Sequence, residues 1–252
     1  MENFVVTAEI SEPIVTYGDG IHLDGPLAYA TFMELTPEQK NKLPSIQNDW
    51  AEDFNLPLSK WSHDCDLPET SDGRLTTDGI LEETETGYVG HVWGWRCSAA
   101  IPIGTVMESI YELRKRQPAI EAIIYLKDKR WETGAGPHKS KDLVYPSIIT
   151  RKLKWYCNGD PERTHWLLSR YVRAIGKLSN HGQGKISRWI VEPTDIDLSI
   201  KDQFGNPMRR LPARMFDDKP ILLGTIRAPY HHRSRWAMTV SPEVFHDRTI
   251  IE

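Results

Sequence analysis

An α+β fold, with an antiparallel sheet beneath two helices, is what the sequence predicts. Three observations carry it. The N-terminal segment alternates apolar and polar residues like a strand. A segment near residue 160 holds a full set of helix-start signals. Between and beyond them, strand-type and helix-type patterns succeed one another along one chain of 252 residues.

In ENFVVTAEI, Phe4, Val6, Ala8 and Ile10 alternate with Val5, Thr7 and Glu9, the period of a core strand. After TYGDG, Asp24 is placed to cap a helix with Pro26 in its first turn and Leu27, Ala28, Phe32 and Leu35 at helical spacing. From Thr36 to about Gly87 the pattern dissolves into Pro, Asp, Glu, Asn and Ser. This stretch reads as a loop-rich insertion, too long for an ordinary connection and therefore either functional or an excursion with its own hairpin. GYVGHVWGWRCSAAI returns to strand-type residues, and its glycines suggest a bulge. A short helix is expected over 103–117, ended by Pro118, then a strand at EAIIYLKDKR. One or two strands follow around Pro146. The helix near residue 160 opens with Asp160 as cap, Pro161 in the first position and Glu162 in the first turn. It carries Trp166, Leu167, Tyr171, Ala174 and Ile175 as its apolar stripe and stops at Gly176. KISRWIVEP is the last strand of the set. Without the insertion the order is strand, helix, strand, strand, helix, strand, that of a ferredoxin-like (RRM-like) domain over 1–193. Residues 194–252 form a C-terminal extension of short extra strands packing on the same domain.

Composition excludes several classes. With 39% apolar and 26% charged residues the chain is neither disordered nor collagen-like. No apolar run approaches the roughly 18 residues of a spanning helix, and the N-terminus lacks the basic flank and apolar stretch of a signal peptide, so the chain is expected in the cytoplasm, away from membranes. Cys65, Cys97 and Cys157 form no CxxC pair and are expected to be reduced thiols. The net charge of −4 conceals a division. Residues 1–100 hold 5 Lys/Arg against 18 Asp/Glu, while residues 127–188 hold 14 against 5, a balance of +9. Such a basic block is the footprint of a polyanion site, because local cation density drives phosphate binding.

Two glycine loops lie in that block. Gly176 to Lys185 combines Gly182 and Gly184, where the backbone can approach a ligand, with Lys177, Lys185 and nearby Arg188. It runs from helix to strand, the reverse of a P-loop or dinucleotide fingerprint, so nucleotide hydrolysis is excluded. The second loop joins Gly134 and Gly136 to Lys139, with Trp131 just before it. Aromatics beside cations suit single-stranded RNA, and Trp131, Trp155, Tyr156 and Trp189 are candidates for stacking, whereas Trp166 belongs to the core. Arg151 and Lys154 fall on opposite faces of their strand by period two. His138 and His181, in the two loops, could serve as the base of a metal-independent RNA cleavage. His63, Asp64 and Cys65 lack zinc-site spacing, so neither metal nor cofactor is expected. His231, His232 and Arg233 read as a basic patch, and Arg209, Arg210, Arg233 and Arg235 as possible contacts to target DNA.

The segments IHLDGPLAYA, GAGPHKS and KWYCNGDPERTHWLLSRYVRAIGKLSNHGQGKIS together resemble the type IV CRISPR-associated RAMP subunit of the Csf system, the family that binds the five-prime handle of the guide RNA. The resemblance spans roughly 3–193. It implies a RAMP domain of ferredoxin-like fold, an RNA-backbone contact at the glycine loop, and a protruding hairpin that separates guide bases. Lys177, Gly182, Gly184 and Lys185 match the glycine-loop motif, and Gly134, Gly136 and Lys139 the GxGxxK block. It implies as partners the guide RNA (crRNA), a multicopy backbone RAMP subunit, a large-subunit-like protein and a guide-processing nuclease. The expectation is a non-catalytic RNA-binding subunit of an antiviral ribonucleoprotein complex, contacting RNA through Gly134, Gly136, Lys139, Arg151, Lys154, Lys177, His181, Gly182, Gly184, Lys185 and Arg188. The alternative is an endoribonuclease that processes CRISPR repeat RNA through His138 or His181.

Overall fold

The computed structural model describes residues 1–16, 20–42, 54–68, 77–84, 87–115, 141–228, 230 and 236–242. The expected strand at 121–130, the loop holding Gly134, Gly136, His138 and Lys139, Trp131, and the cluster from His231 to Arg235 lie outside the described residues.

The fold is α+β, and its sheets are antiparallel throughout the described pairings. The main sheet is built on β1 (Glu2–Ile10), which pairs on one side with β9 (Lys152–Gly159) and on the other with β10 (Ile186–Pro193); β6 (Ile101–Ile103) extends it beyond β9. Its order is therefore β10-β1-β9-β6. Two helices, α1 (Asp24–Glu34) and α3 (Pro161–Tyr171), follow β1 and β9 in the chain. The alternation in β1 does what period two requires. Phe4, Val6 and Ala8 are fully buried and pack with Leu153, Trp155 and Cys157 of β9, Leu27 and Ala28 of α1, and Leu167 and Leu168 of α3. The opposite face carries Thr7 and Glu9 beside Lys152 and Lys154. Part of that face is closed by Met208 and Leu198, which pack on Val5, Ile101 and Tyr156.

The segment 36–87 is not all loop. It holds a short helix α2 (Pro37–Lys42) and the strands β3 (Lys60–Pro68) and β4 (Thr77–Thr84), which flank β5 (Gly87–Trp95) in a three-stranded sheet. Its polar composition is that of a two-faced strand: Trp61, Cys65 and Leu67 point inward and Ser62, Asp64 and Asp66 alternate with them. The bulge expected in β5 is not there: β5 pairs with β3 in unbroken register, and the register shifts lie in its other neighbour, β4, between Thr77 and Glu82. The inward face meets the C-terminal extension, whose sheet runs β11 (Leu211–Pro212), β13 (Trp236–Val240), β12 (Leu222–Thr225). Leu211, Ile226 and Ala237 share a second core with Trp61, Cys65, Leu67 and Val92. Insertion and extension therefore supply one another's buried face.

Three further expectations are corrected. The helix over 103–117 is instead the strand β7 (Met107–Lys115), paired over its whole length with β8 (Lys141–Ile149), from Met107 opposite Ile149 to Lys115 opposite Lys141. Met107, Ile110 and Leu113 mimic helical spacing, but a partner strand distant in sequence decides the backbone. Asp24 does not cap α1: the N-cap is Leu23, with no side-chain cap, and the Asp24 carboxylate is buried. It accepts hydrogen bonds from the Tyr230 hydroxyl at 2.6 and 2.7 Å and stands 3.5 Å from the buried guanidinium of Arg209. The helix α3 has the expected start, with the Asp160 side chain accepting from the Arg163 N–H at 2.9 Å, but it ends at Tyr171, and Val172 is already extended. Among the described residues no helix is long and apolar enough to cross a membrane.

Candidate nucleic-acid interface

The end of the main sheet where β1 finishes and β9 and β10 begin collects the basic residues. The Ile10 N–H donates to the Arg151 carbonyl at 2.8 Å and the Ser11 N–H to the Lys185 carbonyl at 3.0 Å, so Arg151 and Lys185 flank the same turn of chain. Both are exposed, as are Lys152 and Arg188. Lys152 and Arg188 lie opposite Glu9 from its two sides, and Glu9 is committed to Lys152 at 3.4 Å. Lys154 lies on the helix-free face with Lys152, its ammonium 5.8 Å from the Tyr156 ring centre. Arg151 precedes the strand at the sheet corner, so the period-two spacing that set it opposite Lys154 does not reach it. Lys152, one position from Arg151, was missed by sequence reasoning; its period-two match to Lys154 was the available signal.

Beyond this corner the glycine loop is a tied structure. The chain leaving α3 pairs back on β10, with Ile175 N–H donating to Gly184 at 3.0 Å and Ile186 N–H to Arg173 at 2.9 Å. Lys177 N–H donates to Val15 of β2 (Ile14–Val15) and Gly184 N–H to Pro13, each at 2.7 Å. Since β2 also pairs with Ser147 and Ile148 of β8, the loop sits at the base of the β7–β8 ribbon. Its tip is a 3-10 turn, Ser179–His181, closed by Gly182 at φ 85°. The two glycines differ in purpose. A side chain at Gly184 (φ 62°) would overlap the Ile175 carbonyl, so that glycine serves loop closure and is buried. Gly182 is exposed, and nothing stands within 4 Å of where its Cβ would be. Lys177, His181 and Gly182 thus form the open part of the motif.

The aromatic candidates among the described residues do not face this surface. Trp155, Tyr156 and Trp189 are buried, and the indole N–H groups of Trp155 and Trp189 donate to the carbonyls of Ile21 at 2.7 Å and Val172 at 3.0 Å. The helix stripe is rotated from its expected line: Thr164, Leu167 and Leu168 are buried, while Trp166 is 41% exposed. Arg163 and Arg170 stand 4.6 and 5.7 Å from its ring centre. Arg209, expected to reach DNA, is fully buried. Its guanidinium donates to the carbonyls of Trp95, Cys97 and Ile226. Burial opposes its charge, but Tyr230, Cys97 and Asp24 outweigh this and raise its pKa. Beside it, His22 stacks on Tyr230 at 4.8 Å, and burial, reinforced by the Arg209 charge, lowers its pKa to about 3.

Asp64 points to the opposite face of β3 from His63 and Cys65, as adjacent strand residues must. Asp64 contacts His91 at 2.9 Å, and the buried Cys65 thiol, pushed up to about 12 by desolvation, lies against the Met238 carbonyl. Burial likewise pushes the Cys97 thiol up to about 12 and raises that of Cys157. These are inert core thiols.

No curated protein matches the chain. A family model does: the one for CRISPR type IV associated protein Csf3 matches residues 109–242, from the β7–β8 ribbon through the glycine loop and across most of the C-terminal extension.

Proposed function

The chain belongs to the type IV CRISPR-associated Csf3 family, and from that membership we propose that it is a non-catalytic RNA-binding subunit of a type IV effector complex. In this reading it holds the five-prime repeat-derived handle of the guide RNA and caps the filament of backbone RAMP subunits. Its neighbours there are a large-subunit-like protein and a guide-processing nuclease. The observation that carries the proposal is the convergence of Arg151, Lys152, Lys177, Lys185 and Arg188 at one corner of the main sheet, around a glycine turn whose tip is open. Affinity there comes from phosphate neutralisation, and sequence reading is left to base pairing by the guide.

The sheet order β10-β1-β9-β6, with α1 and α3 after its first and third strands in chain order, supports a ferredoxin-like RAMP core. The nine-residue ribbon β7–β8 at the base of the glycine loop supports a protruding hairpin acting on guide bases. The acidic first hundred residues suit docking against a basic subunit.

Replacing Lys177 and Lys185 together with Ala is expected to weaken binding of a labelled oligouridylate. It should also lower the slope of log affinity against log salt by about 1.4, near 0.7 for each phosphate that a single strand no longer pairs. An unchanged slope would refute the interface. The endoribonuclease alternative keeps one specific support, the exposure of His181 at the loop tip. Incubation with repeat RNA in EDTA separates the readings: intact bound RNA is expected, and a cyclic-phosphate product would establish the nuclease.

A further inference from the structure

Between α3 and the edge strand β10 runs a groove of about 360 Å³ whose polar wall is His165, Ser169, Arg173, Ser187 and Arg188. Its floor is apolar and includes Trp189. Local geometry explains the grouping. His165 and Ser169 are one helical turn apart and face the same way. Arg173 lies where the chain has left α3, pinned by the Ile186 N–H bond to its carbonyl. Ser187 spends its proton on the Glu9 carbonyl at 3.0 Å. The donors left to the groove are Ser169, His165 and two guanidiniums.

Among the described residues four other arginines at the surface are held in ion pairs, while exposed Arg151 and Arg170, like Arg173 and Arg188, are in none. Arg96 is paired with Asp197, Arg114 with Glu112 and Asp142, Arg163 with Glu34, and Arg214 with Asp66. Among the described residues neither Arg173 nor Arg188 has a carboxylate partner, although Glu9 lies directly across the sheet from Arg188. Two unpaired, forked cations on one small concave surface, with a hydroxyl and an imidazole between, match a tetrahedral oxyanion. The groove is also contiguous with the glycine loop. The Ala174–Lys185 bridge at the loop's base lies next to Arg173 in the chain, and Lys185 is three residues from Arg188.

We propose that this groove binds a backbone phosphate of single-stranded RNA between Arg173 and Arg188, so that RNA leaving the glycine loop continues along the outer edge of β10. The proposal rests on the RNA-binding reading above and adds to it a path, together with Arg173, His165 and Ser169 as contacts. A phosphate there sits at the outer edge of β10, with Arg173 approaching from the α3 side and Arg188, in register with Glu9, from the other face.

The test uses the full chain and a labelled oligouridylate over a range of salt. Arg173→Ala is expected to weaken binding about tenfold, the scale of one charge-assisted phosphate contact, and to lower the salt slope by about 0.7. Arg173→Lys should restore the slope and only part of the affinity, because the fork is removed while the charge remains. If Arg173→Ala binds like the wild type while the Lys177→Ala, Lys185→Ala double variant is weakened, the groove is refuted and the RNA-binding reading survives. If both variants bind like the wild type, the reading itself fails and the groove with it. Phenylglyoxal labelling of the unaltered protein gives a measurement independent of variant folding. Oligouridylate should protect Arg173 and Arg188, and equal labelling with and without it overturns the proposal.

Discussion

Arg188 at the corner of the main sheet and Arg209 in the C-terminal extension carry the same group in opposite surroundings. Arg188 is exposed on an edge strand, beside a glycine loop, with no carboxylate partner among the described residues. Arg209 is entirely buried, 3.5 Å from Asp24, with backbone carbonyls from Trp95, Cys97 and Ile226 around it. By sequence alone Arg188 is placed among the RNA contacts, and Arg209, which begins an Arg-Arg pair, among the contacts to target DNA. What separates them is water. A solvated guanidinium stays available to a phosphate at little cost, whereas a buried one must be paired at once and becomes a clamp. Arg209 is such a clamp, fastening the extension to the start of α1, while Arg188 keeps its contact with solvent.

The largest effect expected from breaking this contrast is in stability. Arg209→Ala should cost about 3–5 kcal/mol by stranding the Asp24 carboxylate in the core, read as a fall in the denaturant midpoint. A loss below about 1 kcal/mol would mean that Arg209 is solvated in solution and open to nucleic acid after all. The next is a pH effect at the same clamp. His22 titrates near 3 in the folded chain and near 6.5 when unfolded, so between those values only the unfolded chain takes up the proton. Stability should therefore fall with decreasing pH by about 1.4 kcal/mol per pH unit once below about pH 6.5. Comparing denaturant midpoints at pH 7 and pH 5 for the wild type and His22→Gln checks this, the variant being expected to lose the slope. The smallest expected effect tests whether stability and RNA affinity are separable at the corner. Asp160→Ala removes the α3 cap and should cost about 1 kcal/mol while leaving oligouridylate binding unchanged. Weakened binding would show that the corner depends on the stability of α3.

Local features were legible and nonlocal ones were not. The alternation of Phe4, Val6 and Ala8, the Asp160-Pro161 helix start and the strand at Ile186 are written in residues a few positions apart, and each stands where the sequence puts it. The β7 strand was hidden because its partner lies beyond a long intervening segment, and three apolar residues at spacing three imitate a helix. Asp24 shows the same limit in one side chain: it has the identity of a cap, but Arg209 and Tyr230, nearly two hundred positions away, claim it. The rotation that exposes Trp166 also lies beyond periodicity, since a stripe locates a helix face only to within the width of its neighbours' side chains. At the candidate site, Lys177, Lys185, Gly182 and Arg188 were legible by type and spacing, whereas Arg173 gained meaning only when β10 was set beside α3.

The sequence by itself determined the α+β class, the basic block from 127 to 188 and the glycine loop within it, because charge density and turn chemistry are local properties of a chain. Only the tertiary structure decided which cations meet solvent, which glycine is open and which arginine is a clamp. Those outcomes depend on burial, and burial is set by contacts between segments far apart in the sequence.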